Sequence, residues 1–320
     1  MTVLEDLAAR LADLLRDDDR RVLLGEDVVD GGMLGLSKDV AADEALRERA
    51  LSTPLTPTVL AAHAAGLAMA GKHPIVVLPG VEALLEGLAG LREAAALSWR
   101  TDGGVSTPLC FVAPCGPGLG LGGAVTESAE AVLARVPGLN VMCAGQAEEA
   151  GAWLRAAVEH AASEGPTVLL LPRTLLLSAP RGPLAHELGR SADTSHRVRD
   201  GGRVTVFAWG AALDVALDAV TQTGVDAAVV DVGCLAPLDS STLQAEARAT
   251  GRLVIVHTGP RAGGVGAELS AFFADAAILH LDAPVLRVTG ADAPLRPSDE
   301  GDAIPTVARV AEAITRSASY

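Results

Sequence analysis

Apolar positions in the first half of the chain follow two different periods. Leu and Ala recur at helical spacing over residues 3–17, which predicts an amphipathic first helix. Short apolar runs predict buried strands at 21–25, 74–78, 108–113, 139–143 and 166–171. Helical patterns lie between them, at 58–70, 81–100, 128–136 and 147–163. Because strands alternate with helices, the first half is predicted to be an α/β domain with a parallel sheet covered on both faces.

The same alternation starts again after a polar, Pro- and Gly-containing stretch. That stretch, residues 181–200, is interpreted as a linker between a first domain over 1–180 and a second, smaller α/β domain over 201–320. Predicted strands of the second domain lie at 203–208, 227–231, 253–257 and 285–288. Its predicted helices lie at 212–223, 240–250, 266–276 and 304–317.

Composition and charge narrow the range of partners. The chain has 320 residues, 49% of them hydrophobic and only 2% aromatic, so its cores are built from Ala, Val and Leu. The net charge of −15 argues against nucleic acid or an anionic membrane as a partner. Unbroken apolar runs long enough to span a bilayer are missing from the sequence, and the acidic N-terminus is unlike a signal peptide. A soluble, cytoplasmic protein is the expectation.

The cysteine spacing does not suggest a metal site. Cys110, Cys115, Cys143 and Cys234 form no Cys-x-x-Cys pair, and the five-residue spacing of the first two, without a nearby His, suits zinc poorly. All four are predicted to be reduced core or loop residues, and no metal ligand is assigned.

Ordered short motifs run from one end of the chain to the other. They include Leu24-Gly-Glu-Asp-Val28, Thr53-Pro-Leu55, Gly165-Pro166, Thr250-Gly-Arg-Leu-Val-Ile-Val-His257 and Pro260-Arg-x-Gly-Gly264. In this order they resemble the beta subunit of the thiamine-diphosphate-dependent first component of 2-oxo acid dehydrogenase complexes. More broadly, the chain is similar to the C-terminal half of a transketolase.

The resemblance implies a fold, a cofactor and a partner. Residues 1–180 correspond to the pyrimidine-binding domain of the thiamine-diphosphate family, and 201–320 to the transketolase C-terminal domain. Such a beta subunit pairs with an alpha subunit, usually as an α2β2 heterotetramer. The alpha subunit supplies the diphosphate and Mg²⁺ site through a Gly-Asp-Gly motif, of which Gly301-Asp302-Ala303 here lacks the last Gly. The implied activity is 2-oxo acid decarboxylation or two-carbon transfer, with a lipoyl group or a carrier protein as acceptor.

The positions that contact the cofactor in the family have changed here. The family's activating Glu, which promotes the imino tautomer of the aminopyrimidine, corresponds to Pro57, which has neither a carboxylate nor a backbone N–H. The Gln and the aromatic residue that contact the pyrimidine correspond to Pro79 and Ala83, and the active-site His corresponds to Val125. Leu55 alone keeps an apolar contact. These five are the cofactor-binding positions implied by the resemblance, and no catalytic residue is assigned.

Three hypotheses about function follow from these losses. The chain is a beta-type subunit with a degenerate cofactor-activating site, or a non-catalytic paralogue that serves as an assembly subunit. In the third hypothesis, the pocket has been repurposed for another small ligand. Glu82, Glu86 and Glu127 are the carboxylates that could replace the missing Glu from another direction.

Three further features have both a functional and a structural interpretation. Gly118-Leu-Gly-Leu-Gly-Gly123 matches a dinucleotide fingerprint but lacks the acidic residue of such a site, so a tight loop near a subunit interface is favoured. Glu26 and Asp27 follow a strand where α/β sheets bind ligands, and a structural role there is equally expected. His257 ends a strand, and its predicted role is to cap that strand and bond a backbone carbonyl.

Overall fold

The computed structural model describes residues 1–189 and 191–320, and its helices and strands alternate along most of the chain. The strands are β1 (Arg21–Gly25), β2 (Ala50–Ser52), β3 (His73–Val77), β4 (Cys110–Cys115), β5 (Asn140–Cys143), β6 (Thr167–Pro172), β7 (His196–Arg199), β8 (Val204–Ala208), β9 (Ala227–Asp231), β10 (Cys234–Ala236), β11 (Leu253–His257) and β12 (Leu286–Thr289). The helices are α1 (Val3–Asp17), α2 (Lys38–Ala42), α3 (Glu44–Arg47), α4 (Pro57–Met69), α5 (Val81–Glu86), α6 (Leu88–Arg100), α7 (Glu130–Ala134), α8 (Ala150–Glu164), α9 (Arg173–Leu177), α10 (Ala212–Thr223), α11 (Ser240–Thr250), α12 (Val265–Ala276) and α13 (Val307–Ala318).

The first sheet is parallel except at one edge. Its seven strands follow the order β10-β5-β6-β4-β3-β1-β2, and only β10 runs antiparallel to its neighbour. Every residue of β1, β4 and β6 is buried, as expected of strands with helices on both faces. The carboxyl ends of the parallel strands therefore meet at one edge of the sheet, where α/β folds place ligands.

The second sheet repeats this plan on a smaller scale. Its five strands follow the order β12-β11-β8-β9-β7, with β7 antiparallel to β9 and the others parallel. The α/β class and the predicted parallel sheets are confirmed, while each sheet gains one antiparallel edge strand that the hydrophobic pattern did not reveal.

The two halves of the chain share one continuous core. Phe111 and Val141 of the first sheet belong to the same buried cluster as Phe207, Leu235 and Phe273 from the second half. Strand β10 contributes directly to this union, because it follows the second sheet's β9 in sequence but pairs with β5 of the first sheet. The predicted division at 180 and 201 stays a prediction, and three residues beyond it complete the first sheet.

One predicted helix is two helices in the structure. The pattern over 81–100 is interrupted at Gly87, which separates α5 from α6. A Cβ atom at Gly87 would lie 2.8 Å from the carbonyl oxygen of Pro57. The missing side chain of Gly87 lets this segment approach the start of α4 at a distance that a larger residue would not permit. The single-helix prediction was wrong, because a glycine suited to this close approach separates the two helices.

The linker and the predicted helix over 128–136 also differ from the prediction. The linker contains β7, whose sequence His-Arg-Val-Arg lacks the apolar alternation that predicts a strand. The predicted helix over 128–136 covers only α7, which begins after Ala129 at a φ of 55°.

The state of the cysteines and the length of the helices are two further features of the fold. All four cysteines are buried and unpaired, as predicted. Across 1–189 and 191–320, no helix combines the length and the apolar character needed to cross a bilayer.

Candidate functional site

A cavity opens at the carboxyl ends of β1 and β3. Its volume is about 540 Å³, and Glu26, Asp27 and Asp30 line it together with Pro79. Asp27 has a φ of 52°, a left-handed conformation in which the chain turns away from β1. The structure thus places Pro79, one of the cofactor positions implied by the resemblance, opposite the acidic pair that follows β1.

Pro57 begins helix α4. A proline is well suited to this first helical position, because its fixed φ matches the helix and its missing N–H would have no partner there. The preceding Thr56 makes no side-chain cap, and Leu55 is 46% exposed. Pro57 therefore helps to start a helix and brings no group that can share a proton.

A buried arginine links the other positions of the site. Arg173 is 1% exposed and follows β6 at the carboxyl edge of the sheet. Its Nη1 donates to the carbonyl oxygens of Val125 at 2.6 Å and Gly116 at 3.0 Å. Its Nη2 lies 3.5 Å from the carbonyl oxygen of Pro79. One guanidinium thus joins two of the predicted cofactor positions through their backbones.

Glu82 completes this arrangement. Both of its carboxylate oxygens accept from Nη2 of Arg173, at 3.1 and 3.2 Å. The backbone of Gly80 packs closely against this ion pair, and a Cβ atom there would lie 2.1 Å from Nη2 of Arg173. Glu82 therefore serves as the counter-ion of the buried Arg173.

The two other carboxylates proposed as substitutes are placed differently. Glu86 is an exposed residue at the end of α5, and its carbonyl oxygen accepts from the Thr58 hydroxyl at 3.2 Å, beside the start of α4. Glu127 is exposed, and its carbonyl oxygen accepts from the Gly116 N–H at 2.8 Å. Only Glu86 is tied by a direct contact to the segment that carries Pro57.

Ala83 and Val125 differ from each other in burial. Ala83 is 5% exposed and packs into the core of the first domain, so no ring-sized side chain is present at that position. Val125 is half-buried, and its role in the observed contacts is to present a carbonyl oxygen to Arg173.

His257 has the structural role predicted for it. Its ring is 1% exposed, stacks on Trp209 with centroids 4.9 Å apart, and its Nδ1 lies 2.6 Å from the Thr258 carbonyl oxygen. Burial lowers the pKa of His257, which favours the neutral ring. A neutral imidazole with Nδ1–H bonded to a carbonyl fixes the strand end in the way expected of a cap.

These groups do not fit the pyrimidine of thiamine diphosphate in the way the resemblance implies. The chemistry requires a carboxylate with a proton to share, and Pro57 offers none while Glu82 is paired with Arg173. Among residues 1–189 and 191–320, no cluster of three or more His, Cys, Asp or Glu side chains has an arrangement suited to a metal ion.

No role was predicted for Arg173, which follows an apolar strand and begins a short helix. A basic residue directly after a buried strand was the available signal, since such a position lies at the ligand-binding edge of an α/β sheet.

A seven-stranded sheet mainly in the first half of the chain and a five-stranded sheet in the second are the arrangement of a transketolase-like protein. Residues 1–178 match the family Transketolase, pyrimidine binding domain, and residues 193–310 match Transketolase, C-terminal domain. The chain belongs to this family, within the group that includes the beta subunits of 2-oxo acid dehydrogenases.

The relatives match over nearly their whole length. The chain is 30% identical to the 2-oxoisovalerate dehydrogenase subunit beta of Pseudomonas aeruginosa, over 99% of this chain and 94% of that protein. It is also 30% identical to the pyruvate dehydrogenase E1 component subunit beta of Leifsonia xyli, over 100% of this chain and 95% of that protein. These matches confirm the predicted resemblance.

Solved structures show the same fold. A split-gene transketolase, described as an inactive beta4 tetramer, superposes with a TM-score of 0.73 at 21% identity, covering 100% of this chain and 98% of that one. Transketolase from Leishmania mexicana gives a TM-score of 0.69 at 17% identity, covering 99% of this chain and 45% of that one.

Proposed function

We propose that this chain is the beta-type subunit of a heteromeric 2-oxo acid dehydrogenase or transketolase-like enzyme, and that it contributes assembly rather than cofactor activation. The observation that carries the proposal is the first turn of α4, which begins with Pro57 at the position that the resemblance assigns to the activating Glu. The pairing of Glu82 with Arg173 supports it, because one of the three substitute carboxylates already has a counter-ion.

The partner in this proposal is an alpha-type subunit, with α2β2 as the expected assembly. Relatives named as beta subunits cover almost the whole chain, which supports a role beside a second type of subunit. In such an assembly, the alpha subunit would hold the diphosphate and Mg²⁺, and a lipoyl group or a carrier protein would be the acyl acceptor. The solved relative described as an inactive beta4 tetramer supports testing activity only with the alpha partner present.

The test is reconstitution with the chain that copurifies and carries the Gly-Asp-Gly motif. Light scattering measures the assembly, titration calorimetry measures binding of thiamine diphosphate with Mg²⁺, and a dye-coupled assay measures decarboxylation of pyruvate and 3-methyl-2-oxobutanoate. We expect a stable complex without turnover. Turnover of about 1 s⁻¹ or more, the usual range for enzymes, contradicts the proposal.

A matched variant separates one missing group from a changed site. Pro57→Glu restores the family's carboxylate, yet Pro79, Ala83 and Val125 still lack the amide, ring and imidazole that the resemblance implies. We therefore expect the Pro57→Glu complex to assemble and to remain inactive. Activity in this variant alone would show that the rest of the site is intact and that assembly is not the subunit's only contribution.

An altered but active site is the second candidate, and the contact between α4 and α5 favours it. The Glu86 backbone carbonyl accepts from the Thr58 hydroxyl, so the end of α5 lies beside the first turn of α4, and the exposed Glu86 side chain is the substitute proposed there. If the reconstituted complex turns over, Glu86→Gln is expected to abolish turnover, whereas Glu312→Gln, on the exposed face of α13, leaves it unchanged. Equal activity in both variants shows that Glu86 does not replace the activating Glu.

A further inference from the structure

The glycine-rich loop between β4 and α7 has an unusual backbone. Gly118, Gly120 and Gly122 have φ values of 140°, 67° and 64°, in the region that favours glycine. Glycines in this conformation, alternating with residues such as Leu119 that do not have a positive φ, turn neighbouring N–H groups toward one side and form a concave surface that attracts anions. The sequence of this loop suggested a phosphate-binding fingerprint, so its actual occupant is informative.

The occupant is a carboxylate from the second half of the chain. Oε1 of Glu300 accepts from the N–H of Leu119 at 3.1 Å and from the N–H of Gly118. Glu300 is only 7% exposed, and it lies in a short 3-10 segment, Pro297–Ala303. A buried carboxylate that accepts backbone N–H groups has the geometry of a bound anion, although here it is covalently part of the protein.

The surrounding backbone is shaped around this carboxylate. The N–H of Gly123 donates to the Leu295 carbonyl oxygen at 2.8 Å. A Cβ atom at Gly122 would lie 2.6 Å from the backbone nitrogen of Pro297, so only glycine permits the approach. The loop and the segment that carries Glu300 are thus in direct backbone contact across the two halves of the chain.

Arg173 binds the residues that flank the same loop. Its guanidinium donates to the carbonyl oxygens of Gly116 and Val125, which lie on either side of the glycines in sequence. The loop segment therefore presents carbonyl groups to a buried cation and N–H groups to a buried anion. Each charge stabilises the backbone dipoles that face it.

We propose that the Gly118–Gly122 backbone is a carboxylate-binding nest and that Glu300 is its resident ligand, which couples the C-terminal half of the chain to the loop held by Arg173. The nest accepts a free small carboxylate once the Glu300 side chain is shortened. This inference concerns the chain alone and requires neither an alpha subunit nor a cofactor, so it can fail while the proposed function holds, and the reverse.

The first experiment measures the nest in the unmodified chain. Amide hydrogen exchange by NMR is expected to show slow exchange at Gly118 and Leu119, whose N–H groups bond Glu300, and fast exchange at Leu121, which is 59% exposed. Equal and fast exchange at all three amides overturns the proposal without the need for any variant.

The second experiment is chemical rescue. Glu300→Ala is expected to lower the Tm by about 3–6 °C and to speed exchange at Gly118 and Leu119 at least about ten-fold. Sodium formate, titrated against sodium chloride at the same ionic strength, is expected to restore about half of the lost Tm in a saturable manner. Acetate, which is bulkier, should restore less.

Controls distinguish the nest from general effects. Glu312→Ala, on the exposed side of α13, is expected to leave both exchange and Tm unchanged and to show no response specific to formate. Glu300→Gln keeps the shape and loses the charge, so it serves if the Ala variant does not fold, with an expected exchange rate between wild type and Ala. Equal effects of formate and chloride on Glu300→Ala, or unaltered exchange in Glu300→Gln, overturn the proposal.

Discussion

The two sheets fill their carboxyl edges in opposite ways. Strand β6 is followed by Arg173, a buried cation bonded to backbone carbonyl oxygens and to Glu82. Strand β11 ends in His257, a buried ring stacked on Trp209. Both side chains are 1% exposed, and both occupy the edge where α/β sheets bind ligands. The first edge therefore depends on charge pairing, while the second depends on a neutral ring and its packing.

This difference separates two kinds of buried polar group at a sheet edge. At the first edge, Arg173 contacts the backbone carbonyl oxygens of Pro79 and Val125, two of the positions that the resemblance implies as cofactor contacts. At the second edge, the motif ending in His257 contributes a buried ring that stacks on Trp209 and contacts the Thr258 carbonyl oxygen.

The largest expected effect comes from removing the charge at the first edge. Arg173→Met leaves Glu82 without its counter-ion and removes the donors to Gly116 and Val125, so the free energy of unfolding should fall by about 3–5 kcal/mol. Urea denaturation measures it. The control, Arg100→Met, breaks an exposed pair with Glu93 and should cost less than about 1 kcal/mol. A cost for Arg173→Met as small as that of the control would remove the distinction between the two edges.

A smaller effect is expected at the second edge. His257→Ala removes the stack on Trp209 and the hydrogen bond to Thr258, with an expected loss of about 2 kcal/mol in the free energy of unfolding. The exposed His280→Ala is the control and should be nearly neutral. If His257→Ala costs more than Arg173→Met, the ranking of the two edges is wrong.

The smallest expected effect is a change in the free energy of unfolding with pH, in two separate pH windows. Burial lowers the pKa of His257 from its usual 6.5, against the opposing effect of Glu130, and Arg287 and Arg261 lower it further. The unfolded chain therefore takes up a proton near pH 6.5 that the folded chain resists, and stability falls as the pH drops below about 6.5. The slope contributed by this group cannot exceed about 1.4 kcal/mol per pH unit.

Glu300 acts in a lower window. Burial alone would raise its pKa, but the backbone N–H groups of Gly118 and Leu119 outweigh burial, and the pKa lies below its usual 4.5. Stability from Glu300 is complete above about pH 4.5 and is lost as the pH falls through the folded pKa. Denaturation between pH 3 and 8 should show that His257→Ala flattens the upper window and Glu300→Gln the lower one. The comparison is refuted if His257→Ala instead changes the lower pH window and Glu300→Gln the upper one.

The regular elements of the fold were predictable from the sequence for a simple reason. Strands buried on both faces, such as β4 and β6, form continuous apolar runs, and amphipathic helices such as α1 show a clear 3.6-residue period. The missed strands, β2, β7 and β10, are short edge strands that pair with strands distant in sequence. Their pairing is decided by the tertiary arrangement, which a local pattern does not contain.

The candidate site was predictable only in part. The positions of Pro57, Pro79, Ala83 and Val125 followed from the resemblance, and what these residues lack could be stated from their side chains. What replaces the missing groups could not, because Arg173 lies 91 residues from Glu82 in sequence and 57 from Gly116. The ligand of the glycine-rich loop, Glu300, is 182 residues from Gly118.

Strand β10 has a consequence for how the protein is made. The seven-stranded sheet is complete only when residues 234–236 pair with β5, well after the rest of that sheet has been synthesised. During translation, the edge of β5 remains open while β7, β8 and β9 are still being added, and an open edge is a template for unwanted pairing. A nascent chain halted near residue 200 should therefore depend on chaperones more than the complete chain does.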